Sequence, residues 1–343
     1  MKRLVVALLF VLIPTALFAQ VVDRDVLVAP NGTLYTIESV PNDGSVQGDI
    51  QQFLRLTVQS AGSTSQTLVP ESTSMSGVHW RPALAYDSDS STLFVFWLHM
   101  PNAMSSELLL AAYTNGQWQK ALSIDNQPYR LRFNLQVGIT RKISQLQADG
   151  TSMDVPMLMI HAIWWEETGY GELARYAVFD VVDGQISALE LHNLDDFAPS
   201  PTHLLPNEVS ADFNPEILRH PAFADSGTPD SIDVIYGDMY MKDVVRVRVK
   251  PIEANGRIHI PIGAHPGGPR MMAPVAFSDA WTGSISTIAA PHDDGLLFYN
   301  TTAGAVNYIV YSNGSWSAVK SVPLSQKLSA DAAVAALSRM MSQ

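Results

Sequence analysis

Short runs of alternating apolar and polar residues fill most of the chain, and tight-turn residues separate them. Four of these runs are each followed by a turn dipeptide and a second run, and the dipeptides are Asn115-Gly116, Asp183-Gly184, Asn255-Gly256 and Asn313-Gly314. Asn-Gly and Asp-Gly suit the positive φ angles of a type I′ turn. The pattern therefore predicts four β-hairpins, and a looser copy over 53–69 resembles a fifth.

Two further strands are predicted upstream of each hairpin. The first begins near a proline or an equivalent residue, and the second is aromatic and β-branched. First strands are expected to start near residues 25, 82, 134, 221 and 274. The third interval is longer than the others because it carries an extra loop at 141–155 and a proline-rich tail at 192–215.

Repeats of about 50 residues with four short strands each are typical of a β-propeller. We therefore predict an all-β fold, a β-propeller of about five four-stranded blades, with an irregular β-sandwich as the alternative. After Leu324 an alanine-rich segment, with Ser329 as its N-cap, predicts a short C-terminal helix. A frayed tail is the alternative for that segment.

The first 19 residues have the order of a secretory signal peptide. Lys2 and Arg3 precede an apolar run that ends at Ala19, and this run is shorter than the roughly 20 residues that span a bilayer. Cleavage after Ala19 divides the chain into a signal peptide (1–19), a propeller (20–325) and a C-terminal helix or tail (326–343). An uncleaved anchor is the competing interpretation. Cleavage predicts a secreted or periplasmic protein with no membrane association afterwards.

Charge and cysteine content narrow the classes of partner. The 343 residues carry a formal charge of -12, and none is a cysteine. An acidic chain without a basic run disfavours nucleic acids and anionic membranes, so neither is expected as a partner. A carbohydrate or a protein is the partner class that we expect instead.

Two of the hairpin turns suggest a family. The segments Tyr113-Thr-Asn-Gly-Gln-Trp118 and Tyr311-Ser-Asn-Gly-Ser-Trp316 resemble degenerate versions of the Asp-box turn in sialidase-like propellers. The Ser and Asp of a true Asp-box are missing, and so is the Arg-Ile-Pro opening of true sialidases. The resemblance covers about 23–324 and implies the fold and an extracellular setting, but not the activity. Asn-Gly turns covered by Trp also occur in unrelated all-β proteins.

Propeller topology predicts where ligands would bind. Two kinds of connection open at one end of the channel: those that lead into the inner strands, and those between the second and third strands. We expect the ligand-binding residues at this end. They are Arg81, Arg132, Arg219, His220, Asp238, Arg270 and His292. Converging arginines bind a carboxylate or sulfate through paired hydrogen bonds. The alternative is that each arginine pairs with an acidic neighbour and joins adjacent blades.

No complete catalytic motif is present in the sequence. Paired carboxylates about 5 to 9 Å apart would suit a glycosidase, and Glu166 with Asp293 is the candidate catalytic pair, with Glu167 and Asp294 as substitutes. We expect no zinc and no organic cofactor. The acidic segment 292–295 leaves Ca²⁺ open as an alternative. Trp164, Trp165 and His161 are expected to fill the space between blades.

Three functional hypotheses follow from these patterns. The first is a secreted propeller that binds a ligand or protein partner at the channel mouth, beneath the proline-rich segment at 192–215. The second is a sialidase-like glycoside hydrolase that acts on acidic sugars. The third is an interaction protein with no small ligand. Whether the chain is an enzyme stays open at this point.

Overall fold

The computed structural model is built almost entirely of antiparallel β-strands. It describes residues 23–125, 130–168, 171–182, 185–193, 222–225, 228–238, 243–254, 257–259, 262–264, 271–272, 285–289, 295–302, 304–312, 315–325 and 328–341. Among these residues no helix is long and apolar enough to cross a membrane.

The first two blades form one continuous sheet. The first blade contains β1 (Arg24–Val28), β2 (Leu34–Pro41), β3 (Ile50–Ser60) and β4 (Ser63–Leu68). A short 3-10 helix (Glu71–Thr73) leads to the second blade, which contains β5 (Gly77–Asp87), β6 (Thr92–Asn102), β7 (Ser105–Thr114), β8 (Gln117–Trp118) and β9 (Leu122–Asp125). A short parallel contact between the starts of β3 and β5 joins the two blades.

The third blade has the longest strands. It contains β10 (Leu131–Leu146), β11 (Ser152–Thr168), β12 (Gly171–Val182) and β13 (Gln185–Asn193). The fourth blade contains β14 (Ala222–Asp225), β15 (Ile232–Asp238) and β16 (Asp243–Val249), and the strands that follow it are β17 (Ile252–Ala254), β18 (Arg257–His259), β19 (Ile262–Ala264) and β20 (Met271–Met272). Both β19 and β20 pair with β16 and complete that blade.

The fifth blade lies at the C-terminal end of the chain. It contains β21 (Ile285–Ala289), β22 (Leu296–Thr301), β23 (Ala305–Ser312), β24 (Ser315–Trp316) and β25 (Lys320–Pro323), and helix α1 (Ala330–Met341) follows. The Ser329 Oγ accepts a hydrogen bond from the Ala332 amide at 3.2 Å, which confirms Ser329 as the N-cap of the predicted helix.

Neighbouring blades pack face to face through buried apolar side chains. Trp97 lies in the core between the first and second blades, Trp164 in that between the second and third, and Trp165 in that between the third and fourth. Each of the three is at most 1% exposed. Helix α1 packs on the fifth blade and on β1, so it fills the space between the last blade and the first. Trp164, Trp165 and the buried His161 therefore serve the packing, as predicted.

The first strands of the blades contact one another in sequence, and β1, β5, β10, β14 and β21 surround a central cavity. This arrangement, with five consecutive meanders of four strands, confirms the all-β propeller prediction and the C-terminal helix. The Asn115-Gly116 turn has φ angles of 53° and 80°, as a type I′ hairpin requires. The other three predicted turns contain residues outside the described ranges.

Three details of the predicted organisation are wrong. The extra loop expected at 141–155 is mostly strand, because β10 and β11 continue as a long hairpin. The Asn255-Gly256 turn does not continue the fourth blade, since β17 and β18 form a separate hairpin that pairs in parallel with β10 of the third blade.

The third error concerns the fifth blade. The segment predicted as its second strand, near 284–289, is the first strand of the described sheet, and β22 was not predicted at all. The first strand that was predicted to start near 274 falls outside the described residues.

Candidate functional site

The channel mouth, which we define as the end where the inner strands begin, carries an unusual backbone feature. Arg81 in β5 and Asn134 in β10 have φ angles of 50° and 56°. Each lies at a one-residue β-bulge, where the register with the second strand of the blade shifts. A residue other than glycine in this conformation costs of order 1 to 3 kcal/mol, and such residues cluster at functional sites. The mouth therefore stores strain at equivalent positions of two blades.

Arg81 is held at this position by two partners. Its guanidinium lies 3.3 Å from a carboxylate oxygen of Asp23, which directly precedes β1, and 5.3 Å from the ring centroid of Trp80. The side chain keeps 22% of its surface exposed. Its Nε atom is buried and has no hydrogen-bond partner among the described residues. A ligand at the mouth would therefore reach the exposed part of the side chain and not the buried Nε atom.

A second group of charges lies where β10 and β11 pair. Glu166 is fully buried, and its carboxylate contacts the guanidinium groups of Arg130 and Arg132. Arg132 is also fully buried and donates a hydrogen bond to the Ser106 carbonyl of the second blade. Arg130 keeps 29% of its side chain exposed. This network joins the second and third blades around a carboxylate that solvent does not reach.

Two histidines at the mouth belong to a buried network. The rings of His79 and His99 stack at 4.4 Å, and the Trp97 indole donates to His79 Nδ1 at 3.0 Å. The other ring nitrogen of His79 therefore carries the proton and donates to the Met75 carbonyl at 3.0 Å. Burial lowers the pKa of His79 to about 4, so the ring is neutral at pH 7. These contacts fix the segment that leads into β5.

The cavity at the centre of the propeller has a volume of about 200 Å³. Its walls come from the inner strands of all five blades, from β22 and from α1. Most of the lining side chains are apolar, and the polar ones are Asp25, Gln136, Tyr299 and Ser338. Among the described lining residues, Asp25 is therefore the charged group of a small cavity in which apolar and polar side chains meet.

Asp25 joins the first two inner strands. Its two carboxylate oxygens accept hydrogen bonds from the backbone amides of Val26 and Leu84, each at 2.8 Å. Protein surrounds the carboxyl group, and burial raises the pKa of Asp25 to about 6, although the two amide bonds favour the charged form. A carboxyl group in this state changes its charge between pH 5 and pH 7.

The raised pKa predicts how Asp25 affects stability. The folded-state pKa exceeds the unfolded value of about 4, so the folded state binds the proton more tightly than the unfolded state. Protonation of Asp25 therefore adds to the free energy of unfolding below pH 4. This stabilisation is lost as the pH rises through 6. The shift corresponds to about 3 kcal/mol. We expect the free energy of unfolding of Asp25→Asn to rise by about that much, relative to the natural protein, as the pH is raised from 4 to 7.

Urea unfolding of both proteins at pH 4, 5, 6 and 7 measures this difference. The folded-state pKa values of His79 and His161 are lowered by burial to about 4 and about 3, so they oppose Asp25 in the same pH range. The contributions of the two histidines cancel in the difference in unfolding free energy between the two proteins, because both proteins contain them. A difference in unfolding free energy that does not vary with pH would contradict the assignment.

The structure brings together only part of the predicted site. Arg81 lies at the mouth with an exposed edge, whereas Arg132 and Glu166 are enclosed in the ion-pair network described above. Asp238 ends β15, and nothing is described of its side chain. The other predicted residues lie outside the described ranges: Arg219, His220, Arg270, His292 and Asp293.

Sequence reasoning missed Asp23 and Asp25 as site residues. Asp25 was interpreted only as the start of a predicted strand. An acidic residue directly before Val-Leu-Val in an inner strand is the signal that could have identified it. Among the described residues, no three His, Asp or Glu side chains are placed to hold a metal ion.

Among known proteins, only solved structures show similarity to this chain. No protein-family model matches the sequence, and no curated protein does either. Hadza microbial sialidase Hz136 is similar with a TM-score of 0.44 and 13% identity, over 89% of this chain and 58% of the sialidase. The present chain therefore spans less than two thirds of that protein.

Two further solved structures show the same level of likeness. AofleA from Arthrobotrys oligospora has a TM-score of 0.44 and 11% identity over 89% of this chain and 73% of its own. A GH43_1 enzyme from Xanthomonas citri has a TM-score of 0.38 and 10% identity over 91% of this chain and 89% of its own. The similar structures thus include a member of the sialidases, the family whose turns the Asn-Gly hairpins resemble. The propeller assignment itself rests on the sheets of this chain.

Proposed function

We propose that the protein is a secreted propeller that binds an acidic ligand at the channel mouth, with Arg81 as a binding residue. The observation that carries the proposal is the strained backbone of Arg81, which holds a partly exposed guanidinium at the mouth. Strain of this kind persists only where the surrounding structure imposes it. A ligand bound by the exposed part of the guanidinium would explain why the strained conformation is kept.

The chemistry of the mouth favours an anionic group on the ligand. A guanidinium binds a carboxylate or sulfate through charge-assisted hydrogen bonds. The Trp80 ring, 5.3 Å away, attracts the same positive charge. The partly exposed Arg130 adds a second positive charge at the same end of the channel. An acidic sugar, or an acidic segment of a protein partner, carries the complementary group.

The experiment compares binding in two arginine variants. Acidic and neutral sugars are first screened by thermal shift, and the affinity of any binder is measured by calorimetry. We expect Arg81→Ala to weaken the binding of an acidic sugar by about 10- to 100-fold, since a hydrogen bond to a charged group contributes about 1.5 to 3 kcal/mol. Arg55→Ala is the matched control, because Arg55 is a similarly exposed arginine that pairs with Glu38 at 2.7 Å.

Three outcomes separate the hypotheses. Unchanged affinity in Arg81→Ala would contradict this mouth as the site. The absence of any sugar ligand, together with capture of a protein that Arg81→Ala no longer binds, would favour the interaction protein. Turnover of an acidic glycoside would favour the hydrolase. On the described residues nothing favours the hydrolase, because the Glu166 carboxylate is enclosed by two arginines.

A further inference from the structure

The central cavity is separate in chemistry from the arginine-bearing mouth. Among the described residues that line it, Asp25 carries the only charge. Its oxygens each accept one backbone hydrogen bond, and a carboxylate has about four acceptor positions. Further hydrogen bonds can therefore reach Asp25 from the cavity.

Three arginines on or beside the surrounding elements have other partners. Arg24 of β1 pairs with Asp331 of α1 at 2.5 Å, and Arg81 of β5 pairs with Asp23. Arg132 of β10 pairs with Glu166. Burial and the two backbone amides account for the shift of the Asp25 pKa, with no contribution from a charged neighbour. Among the described residues, no basic side chain therefore forms an ion pair with the Asp25 carboxylate.

The remaining wall suits the apolar part of a small ligand. Aliphatic side chains of Leu27, Leu84, Ile288 and Val334 line it, and the aromatic rings of Phe223 and Tyr299 are part of the same surface. Aromatic faces attract cations, and the attraction is stronger where water is excluded. An enclosure of about 150 Å³ accommodates a benzene-sized molecule, so this cavity has room for roughly six to ten non-hydrogen atoms.

The geometry points to a binding site for a small organic ammonium ion in this cavity, with the ammonium group on Asp25 and the alkyl groups against the aliphatic and aromatic wall. This inference does not depend on the proposed function, because the mouth attracts anions and the cavity attracts cations. An ammonium ion of this size would both pair with the Asp25 carboxylate and fill the apolar part of the cavity. A neutral molecule of the same shape would fill the apolar part of the cavity but would not pair with the carboxylate.

Calorimetry with defined probes tests the inference on the natural protein. Propylammonium and tetramethylammonium are titrated at pH 7.5 and pH 5, with 1-propanol as the neutral isostere and with matched ionic strength. We expect at least one ammonium ion to bind and propanol to bind at least tenfold more weakly. Affinity should fall roughly tenfold from pH 7.5 to pH 5, because Asp25 is then mostly protonated.

Variants complete the experiment. Asp25→Asn should abolish ammonium binding at both pH values, whereas Asp89→Asn, which changes an 81% exposed carboxylate, should leave it unchanged. Ser338→Phe should also abolish binding because it fills the cavity from the helix side. Equal affinity for propanol and propylammonium, or no binding of either ammonium ion up to about 50 mM, would overturn the inference. These two results need no variant, so a folding defect in Asp25→Asn does not affect them.

Discussion

Replacement of Glu166 by Ala is expected to lower the free energy of unfolding by about 3 to 5 kcal/mol. The carboxylate is fully buried between Arg130 and Arg132, and Arg132 is itself fully buried. Removal of one partner of a buried ion pair leaves the other charge without compensation in a medium of low dielectric constant. Urea unfolding of the two proteins at pH 7 measures the loss.

The neighbouring residue is a matched control for this substitution. Glu167 follows Glu166 on the same strand but is exposed, because adjacent side chains point to opposite faces. Glu167→Ala should change the unfolding free energy by no more than about 0.5 kcal/mol. Similar small losses in both variants would refute a structural role for Glu166 and would return it to the candidate catalytic residues.

Gly77→Ala is expected to destabilise the protein by about 3 kcal/mol or more. Gly77 has a φ angle of 113°, and a Cβ atom added there would lie 2.2 Å from the Met100 carbonyl oxygen. Because that atom belongs to the backbone of the paired strand, β5 and β6 would have to separate. The Gly77 amide also donates to the Asp49 carbonyl at 2.9 Å, where the first and second blades join. The cost therefore combines backbone strain with a steric clash.

Gly44→Ala separates these two contributions. Gly44 has a φ angle of 94°, and a Cβ atom there would meet nothing within 4 Å. The substitution should cost only the backbone strain, about 1 to 2 kcal/mol. Unfolding titrations of both variants give the comparison, and equal costs would show that the Met100 contact relaxes without penalty.

The candidate site could be predicted from the sequence only in part. Arg81 was chosen because the inner strand was expected to begin there, whereas in the structure it lies at the fifth position of β5. Its strain was not foreseeable, since a bulge depends on the register between β5 and β6. Glu166 was expected in the connection between a second and a third strand, but it lies within β11. The two arginines that enclose it are apparent only once β10 and β11 are paired.

The sequence by itself determined the local elements of this protein. Alternating apolar residues, Asn-Gly turns and the four-strand repeat predicted the blades, and Ser329 with the alanine-rich segment predicted the helix. These features depend on backbone conformations and side-chain periods that each segment carries in its own residues. They were therefore accessible without knowledge of any distant contact.

Only the tertiary structure decided the pairing and the electrostatics. It assigned the β17–β18 hairpin to the third blade, added β22 to the fifth, and placed α1 between the last blade and the first. It also buried Asp25 beside a cavity that seven different elements form. Pairing partners and desolvation depend on residues far apart in the chain, so a local pattern does not determine them.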